Sequence, residues 1–363
     1  MPVPGTFEAL TPAWLTEAFR ASGVLRAAAV RDTRVEPIGI GVGFLGQLAR
    51  LHLTYDRAEA GAPATAVAKL PSLDPGGLQV CRLFRFYERE VRFYRELAGT
   101  LPTRVPRCYA SAFDAETDAS LMVLEDFGAL RMGDDAGGCS AVDAEAAIRN
   151  ITRVHAAWWR SPKLDRLEWM PVVDDPVHQF SEPAYQGSLD AFLKGFGDAL
   201  SPKVRAVTER MAPHVIDLLH ASAEGPHTLA HGDYRLDNLF FDGADVGADV
   251  ATIDWQIAYR GPGIFDVAYF LSGCLEPPLR RAHEMRLLRL WYDAVTEGRA
   301  AGYSFDDAVL GYRRSVLYCN VYTVIAVGSL AAANERGRAV FGGWLRRRGA
   351  AIEDLDAGEL IPA

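Results

Sequence analysis

Lysine is nearly missing from this chain. Of 363 residues only Lys69, Lys163, Lys194 and Lys203 are lysines, and the other basic residues are arginines. Net charge is −9, so the chain lacks the basic field of nucleic-acid binders, and no nucleic-acid partner is expected. The five cysteines, Cys81, Cys108, Cys139, Cys274 and Cys319, are odd in number and form no C-x-x-C pair. A disulfide framework and a zinc site are therefore not expected. The opening residues, "MPVPGTFEALTPAWLTEAFRASG", have no basic stretch followed by an apolar run. They predict a capped amphipathic helix and not a signal peptide, which makes a cytoplasmic location the expectation. Long uncharged runs are also scarce. The exception is 316–333, "VLYCNVYTVIAVGSLAAA", near the lower length limit of a membrane span. It holds Asn320, Thr323 and Ser329, and Arg313, Arg314, Glu335 and Arg336 flank it. Those features favour a buried core helix, so no membrane is expected; a tethered protein is the alternative.

The composition, 49% hydrophobic and 23% charged, suits a globular chain with a sizeable core, in one large domain or two lobes. No internal repeat or low-complexity linker divides it. The first third reads mainly as strands. After a glycine turn, Ala49, Leu51, Leu53 and Tyr55 alternate with Arg50, His52 and Thr54, the period of a half-buried strand. "ATAVAKLPS" and "ASLMVLEDFG" predict further strands, and "CRLFRFYEREVRFYRELAG" predicts a helix through Phe86, Glu90, Phe93 and Leu97. Past Gly128 long helical patterns dominate, interrupted by "NLFFD" and "VATIDW", short apolar runs that predict a hairpin. The expected division is an N-lobe over 1–122, a hinge over 123–128 and a C-lobe over 129–363.

The most informative segment is "LAHGDYRLDNLFFD". His231, Gly232, Asp233 and Asn238 fit the spacing H-x-D-x-x-x-x-N of a kinase catalytic loop. The acid would take the proton of an acceptor hydroxyl, and the amide oxygen of Asn238 would ligate Mg²⁺. Gly232 allows an unusual backbone beside the acid. The plainer alternative is a turn with incidental polar residues. Asp254, at the end of the apolar run "ATIDWQ", suits a second Mg²⁺ ligand. Gly41, Gly43 and Gly46 fit G-x-G-x-x-G. A dinucleotide fold would place a helix next, whereas an alternating strand follows, which favours a phosphate-covering hairpin. Lys69 alone among the lysines lies within an apolar strand, where an ammonium needs a partner. It suits a ligand to the α- and β-phosphates of ATP, with Glu90, rather than Glu88, as the inward-facing acid on the next helix. Glu125 and Phe127, in "MVLEDFG", suit a hinge that bonds adenine through its backbone, or an ordinary strand end.

"HGDYRLDNLFF…IDWQ", with "VAKLPS" and "EREVRFYREL", resembles the aminoglycoside phosphotransferase and choline kinase superfamily, in its ecdysteroid-kinase-like branch, over about residues 25–340. The resemblance implies an α+β, bilobal protein-kinase-like fold with an antiparallel β N-lobe and a mainly helical C-lobe. It implies transfer of the γ-phosphoryl of ATP to a small-molecule hydroxyl acceptor. By the same resemblance Asp233 is the base, Asn238 and Asp254 hold Mg²⁺, Lys69 binds phosphate and Glu90 pairs with it. Asp266 would anchor the catalytic-loop backbone and His231 would be a scaffold. His-Gly-Asp, Asp-Trp-Gln and the lack of an A-P-E segment depart from protein kinases and argue against protein substrates. Trp158, Trp159, Trp169, Phe180, Tyr185 and Tyr322 would line a pocket for a bulky alcohol, or belong to the core. Asp174, Asp175 and Glu182 would meet a cationic acceptor, or lie in a solvated loop. The alternative function is a non-catalytic nucleotide-binding regulatory module.

Overall fold

The computed structural model describes residues 3–39, 45–243, 249–298, 302–329 and 335–362. It divides into two compact units, one of Met1–Leu101, Val105–Leu130 and Ile253–Ile257, the other of Pro102–Arg104, Arg131–Thr252 and Ala258–Ala363.

The first unit begins with α1 (Pro12–Ala21), whose Thr11 hydroxyl accepts from the Trp14 N–H and whose first residue is proline, a sequence built to start a helix. Strands β1 (Val30–Ile38), β2 (Gly46–Tyr55) and β3 (Thr65–Pro71) follow, then α2 (Pro75–Leu83) and α3 (Phe86–Glu96), and then β4 (Cys108–Phe113) and β5 (Ser120–Glu125). The five strands form one antiparallel sheet in the order β1-β2-β3-β5-β4. The alternation in β2 buries Ala49, Leu51 and Leu53 on one face. Leu51 and Leu53 pack with Leu15 and Phe19 of α1 and with Ala66, Ala68 and Leu70 of β3.

Where the spacing predicts one helix from Cys81 onward, the chain forms two. Arg85 takes a left-handed conformation, φ 53°, which ends α2 and restarts the chain as α3. Strand β4 carries no clear alternation and is not among the strands predicted from the sequence.

Glu59 ties the β2–β3 connection to the start of β1. Its carboxylate accepts from the backbone N–H groups of Arg26, Ala27 and Ala28 at 2.6, 2.9 and 2.6 Å. Those bonds, the one from Ala28 foremost, hold its pKa below the ordinary glutamate value. The folded value being depressed, this stabilisation is complete above the unfolded pKa and is lost as pH falls through the folded one. Glu59→Gln should therefore lower the Tm at pH 7 and narrow its gap to the parent at about pH 3. A gap unchanged across that range in thermal melts would refute the assignment.

The second unit holds β6 (Arg131–Met132), α4 (Ala141–Trp158), α5 (Ser181–Phe196), α6 (Pro202–Met211) and α7 (Val215–Ala223). Strands β7 (His227–Ala230), β8 (Leu239–Asp242), β9 (Asp249–Thr252) and β10 (Tyr259–Pro262) come next, then helices α8 (Ile264–Cys274), α9 (Pro277–Thr296), α10 (Phe305–Ser329) and α11 (Glu335–Asp354). β8 and β9 form an antiparallel pair with β6 at its edge, and β7 pairs antiparallel with β10. All of α8 is buried. Residues 316–329 of the uncharged run lie in α10, which packs against α5, α7, α8 and α11. Among the described residues no helix is long and apolar enough to cross a membrane.

Candidate active site

In the first unit the site is built around Lys69. In β3, Ala66, Ala68 and Leu70 face the core, so strand alternation turns Lys69 to the opposite face. It sits between Leu48 of β2 and Met122 of β5 in register. Its Nζ lies 2.7 Å from Glu90 Oε2 and 2.9 Å from Asp254 Oδ1. Glu90, on α3, is 1% exposed, while Glu88 turns outward to Arg85 and Arg92. Asp254 has φ 62°, a left-handed conformation costly for a residue with a Cβ. The next residue, Trp255, is fully buried and stacks on Phe93 of α3, with ring centroids 4.4 Å apart and planes 9° apart.

Burial works against the Lys69 ammonium, yet Asp254 and Glu90 outweigh it, and its pKa stands above the ordinary lysine value. Burial pushes the Glu90 carboxyl up, against the pull of Lys69 and with the push of Asp254. One cation between two carboxylates leaves the cluster one negative charge in excess. Gly46 opens β2 beside it. A Cβ there would lie 3.2 Å from the Leu70 carbonyl and 3.5 Å from Lys69 Cε, so glycine leaves the lysine stem its room. Gly41 and Gly43 lie outside the described residues. Glu125 ends β5, its N–H donating to the Arg107 carbonyl at 2.8 Å and its Oε2 accepting from Arg107 N–H at 3.1 Å. Phe127 is buried.

In the second unit β7 delivers His231, Gly232 and Asp233. Gly232 has φ 84°, which a residue with a side chain would adopt only under strain. Asn238 Nδ2 donates to the Asp233 carbonyl at 2.9 Å and to Asp233 Oδ2 at 3.0 Å. These bonds use the amide nitrogen and leave the amide oxygen as the atom able to ligate a cation. Arg235 Nε donates to the same Oδ2 at 3.0 Å. Its Nη1 donates to Asp135 Oδ2 at 2.8 Å and Asp237 Oδ2 at 3.3 Å. Asp135 is fully buried and also accepts from Leu236 N–H at 3.0 Å. Burial raises the Asp135 carboxyl against the pull of Arg235.

The loop hangs from Asp266, at the first turn of α8. Its Oδ2 accepts from His231 N–H at 2.7 Å and its Oδ1 from Gly232 N–H at 2.9 Å. His155 Nε2 lies 3.1 Å from the same Oδ2, and Trp291 Nε1 lies 2.9 Å from His155 Nδ1. An indole can only donate, so Nδ1 accepts and Nε2 carries the proton toward Asp266. Both His155 and Asp266 are wholly buried. His155→Leu removes one donor from Asp266 and orphans the Trp291 N–H. It should cost roughly 2–4 kcal/mol of stability. Urea denaturation would measure it, and a loss under about 0.5 kcal/mol would contradict the relay.

Asp135, His155 and Trp291 carry no motif that sequence reading could find, and Asp237, though inside the catalytic-loop segment, is given no role there. The one signal was His155 within an apolar helix. Of the aromatics considered for an acceptor pocket, Trp158, Trp159 and Tyr185 are buried, and the Tyr185 hydroxyl is spent on the Thr208 carbonyl at 2.7 Å. Phe180 is 55% exposed, and Trp169 and Tyr322 are half-buried. Asp175 caps a short turn through Val177 N–H, and Glu182 accepts from Ile216 N–H at 3.3 Å.

The Asp254 carboxylate and the Asn238 amide oxygen are each oxygen donors of the kind Mg²⁺ takes. Among the described residues no group of three or more His, Cys, Asp or Glu is placed to hold a metal ion.

The two units define a bilobal, protein-kinase-like fold, an antiparallel β lobe and a mainly helical lobe. Residues 41–300 match the ecdysteroid kinase-like family, and the chain belongs to it. Among solved structures, a Ralstonia eutropha protein described as an aminoglycoside phosphotransferase is 16% identical, with 99% of each chain covered and a TM-score of 0.53. The GDP complex of aminoglycoside 2′-phosphotransferase-IIIa is 14% identical, covering 89% of this chain and 94% of that one, at a TM-score of 0.53. Choline kinase of Cryptosporidium parvum is 11% identical over 90% of this chain and 91% of that one, at 0.52. At such identities the likeness is one of fold. No curated protein matches the chain in sequence.

Proposed function

We propose that this chain is a small-molecule kinase that moves the γ-phosphoryl of Mg-ATP to the hydroxyl of a small, bulky or partly apolar alcohol. The observation that carries the reading is the Lys69 ammonium held between Glu90 and Asp254. Taking the Glu90 carboxylate and most of the Lys69 ammonium out of water costs several kcal/mol, and well-packed apolar side chains would serve stability at least as well. A lysine fixed by one acid and able to leave the other for phosphate gives that cost a purpose.

In this reading Lys69 orients the α- and β-phosphates, and Glu90 keeps it there. Asp233 orients the acceptor and takes its hydroxyl proton. Asn238 and Asp254 are the residues that would hold Mg²⁺, which neutralises charge on the phosphate oxygens when bound. Asp266 and His155 hold the 231–233 backbone so that the base needs no rearrangement during transfer. The glycines at 41, 43 and 46 would cover the phosphates, and the backbone at Glu125 and Phe127 would meet the adenine. The ecdysteroid kinase-like family, together with the half-buried Tyr322, supports an acceptor with apolar surface.

The test is ADP release from Mg-ATP with a panel of sterols, macrolides, aminoglycosides, choline and hydroxy acids. Mass spectrometry would then check each acceptor for an added phosphoryl group. Turnover that stops on chelation with EDTA and resumes with Mg²⁺ is the expected result. Tight Mg-ATP binding with no turnover on any acceptor would favour the non-catalytic binding module. No binding of Mg-ATP would end the proposal.

A further inference from the structure

Arg235 stands two residues after Asp233, and none of the roles above uses it. Its backbone is extended, φ −141° and ψ 164°, and side chains two apart on an extended chain leave the same side. In a guanidinium the Nε–H and one Nη2–H leave the same edge in parallel, the fork that matches the oxygens of a carboxylate or phosphate. Here Nε spends its hydrogen on Asp233 Oδ2 at 3.0 Å. Nη1, on the opposite edge, is spent on Asp135 and Asp237. Nη2 has no partner among the described residues and is not among the polar atoms sealed from solvent. The side chain as a whole is only 15% exposed. An otherwise immobilised cation thus presents its one unspent donor on the edge that faces the carboxylate of the proposed base.

The clamp behind it is rigid. Asp135 is wholly buried and accepts from Leu236 N–H, and its own N–H donates to Asp237 Oδ1 at 3.0 Å. Arg347 Nη1 donates to the Asp135 carbonyl at 2.6 Å, and Arg336 Nη2 to Asp237 Oδ1 at 2.8 Å. The Trp344 ring lies 5.9 Å from the Arg235 guanidinium carbon. A lysine could not span Asp233, Asp135 and Asp237 at once, because its three hydrogens leave a single nitrogen. Such a clamp fixes where Nη2 points before any substrate arrives.

We propose that Arg235 is a catalytic residue whose Nη2 donates to a non-bridging oxygen of the phosphoryl group in transit. The proposal rests on the phosphotransfer reading above. In the step, the acceptor oxygen forms a bond to the γ-phosphorus while its proton passes to Asp233. The bond from that phosphorus to the β–γ bridging oxygen breaks, and ADP leaves with the electron pair. Charge spreads over the three non-bridging oxygens in between, and a pre-fixed guanidinium stabilises it without reorganising. By sharing Asp233 Oδ2, Arg235 also fixes the base and the phosphoryl group relative to each other.

The experiment needs no acceptor. Isothermal titration compares Mg-ADP with Mg-ADP plus aluminium fluoride, a mimic of the planar phosphoryl group, in the parent and in Arg235→Lys. The expected result is Mg-ADP affinity within about threefold of the parent, and loss of roughly 10²-fold or more in affinity for the fluoride complex. Equal affinity of both proteins for the fluoride complex would overturn the proposal. Should the lysine variant not fold, a crystal structure of the parent with Mg-ADP and aluminium fluoride reads the contact itself. Nη2 within about 3 Å of a fluoride supports it, and a fluoride cluster held without Nη2 refutes it. A parent that binds no Mg-ADP would instead refute the kinase reading, and this inference with it.

Discussion

Asp233→Asn should lower turnover by about 10³-fold while leaving Mg-ATP affinity within about threefold of the parent. The change is nearly isosteric. Asn238 still donates to the backbone carbonyl of residue 233, and Asp266 still holds the loop through His231 and Gly232, so the fold should survive. What is lost is the basic oxygen that receives the acceptor's proton. The split between turnover and affinity is the informative part. A residue that merely shaped the loop would disturb both together. Steady-state kinetics with the active acceptor, beside nucleotide titration, provide the check. Turnover near the parent's would show that Asp233 is not the base.

The second large effect is expected at Lys69. Lys69→Met leaves Glu90 and Asp254 facing the emptied position with no cation between them. Leaving a buried charge unpaired costs about 3–5 kcal/mol, so the Tm should fall markedly. Nucleotide turnover should fall by about 10²-fold or more, since the phosphates lose their orienting charge. A companion, Lys69→Met with Glu90→Gln, separates the two consequences. Removing the glutamate charge should return part of the stability without returning activity. If the double variant regained activity, Lys69 would have no role toward phosphate. If the single variant melted with the parent, Lys69 would not be the partner of the buried Glu90 carboxylate described here.

Much of this arrangement could be read from the chain because it rests on local periodicity. Alternation in "ATAVAKLPS" turns Lys69 away from Ala66, Ala68 and Leu70, and helical spacing turns Glu90 inward with Phe93. The hairpin of β8 and β9 follows from two apolar runs around a turn-rich segment. The rest depends on contacts that no local pattern encodes. Asp135 reaches Arg235 from 100 residues away in sequence, and His155 reaches Asp266 from 111. An isolated acid in a loop and a histidine on a helix give no hint of those partners. The break between α2 and α3 was hidden for another reason. Neither glycine nor proline stands among Leu83, Phe84, Arg85, Phe86 and Tyr87 to mark a stop, and it is the positive φ at Arg85 that divides the two helices.

The measurement closest to the central claim is ³¹P NMR of the protein with Mg-ATP and an acceptor found in the panel. Transfer predicts that the γ-phosphate resonance declines in step with a new phosphomonoester resonance, while ADP accumulates in equal amount and the Asp233→Asn variant shows neither. Growth of inorganic phosphate alone, with no phosphomonoester, would mean hydrolysis and would contradict the assignment of this chain as a small-molecule kinase.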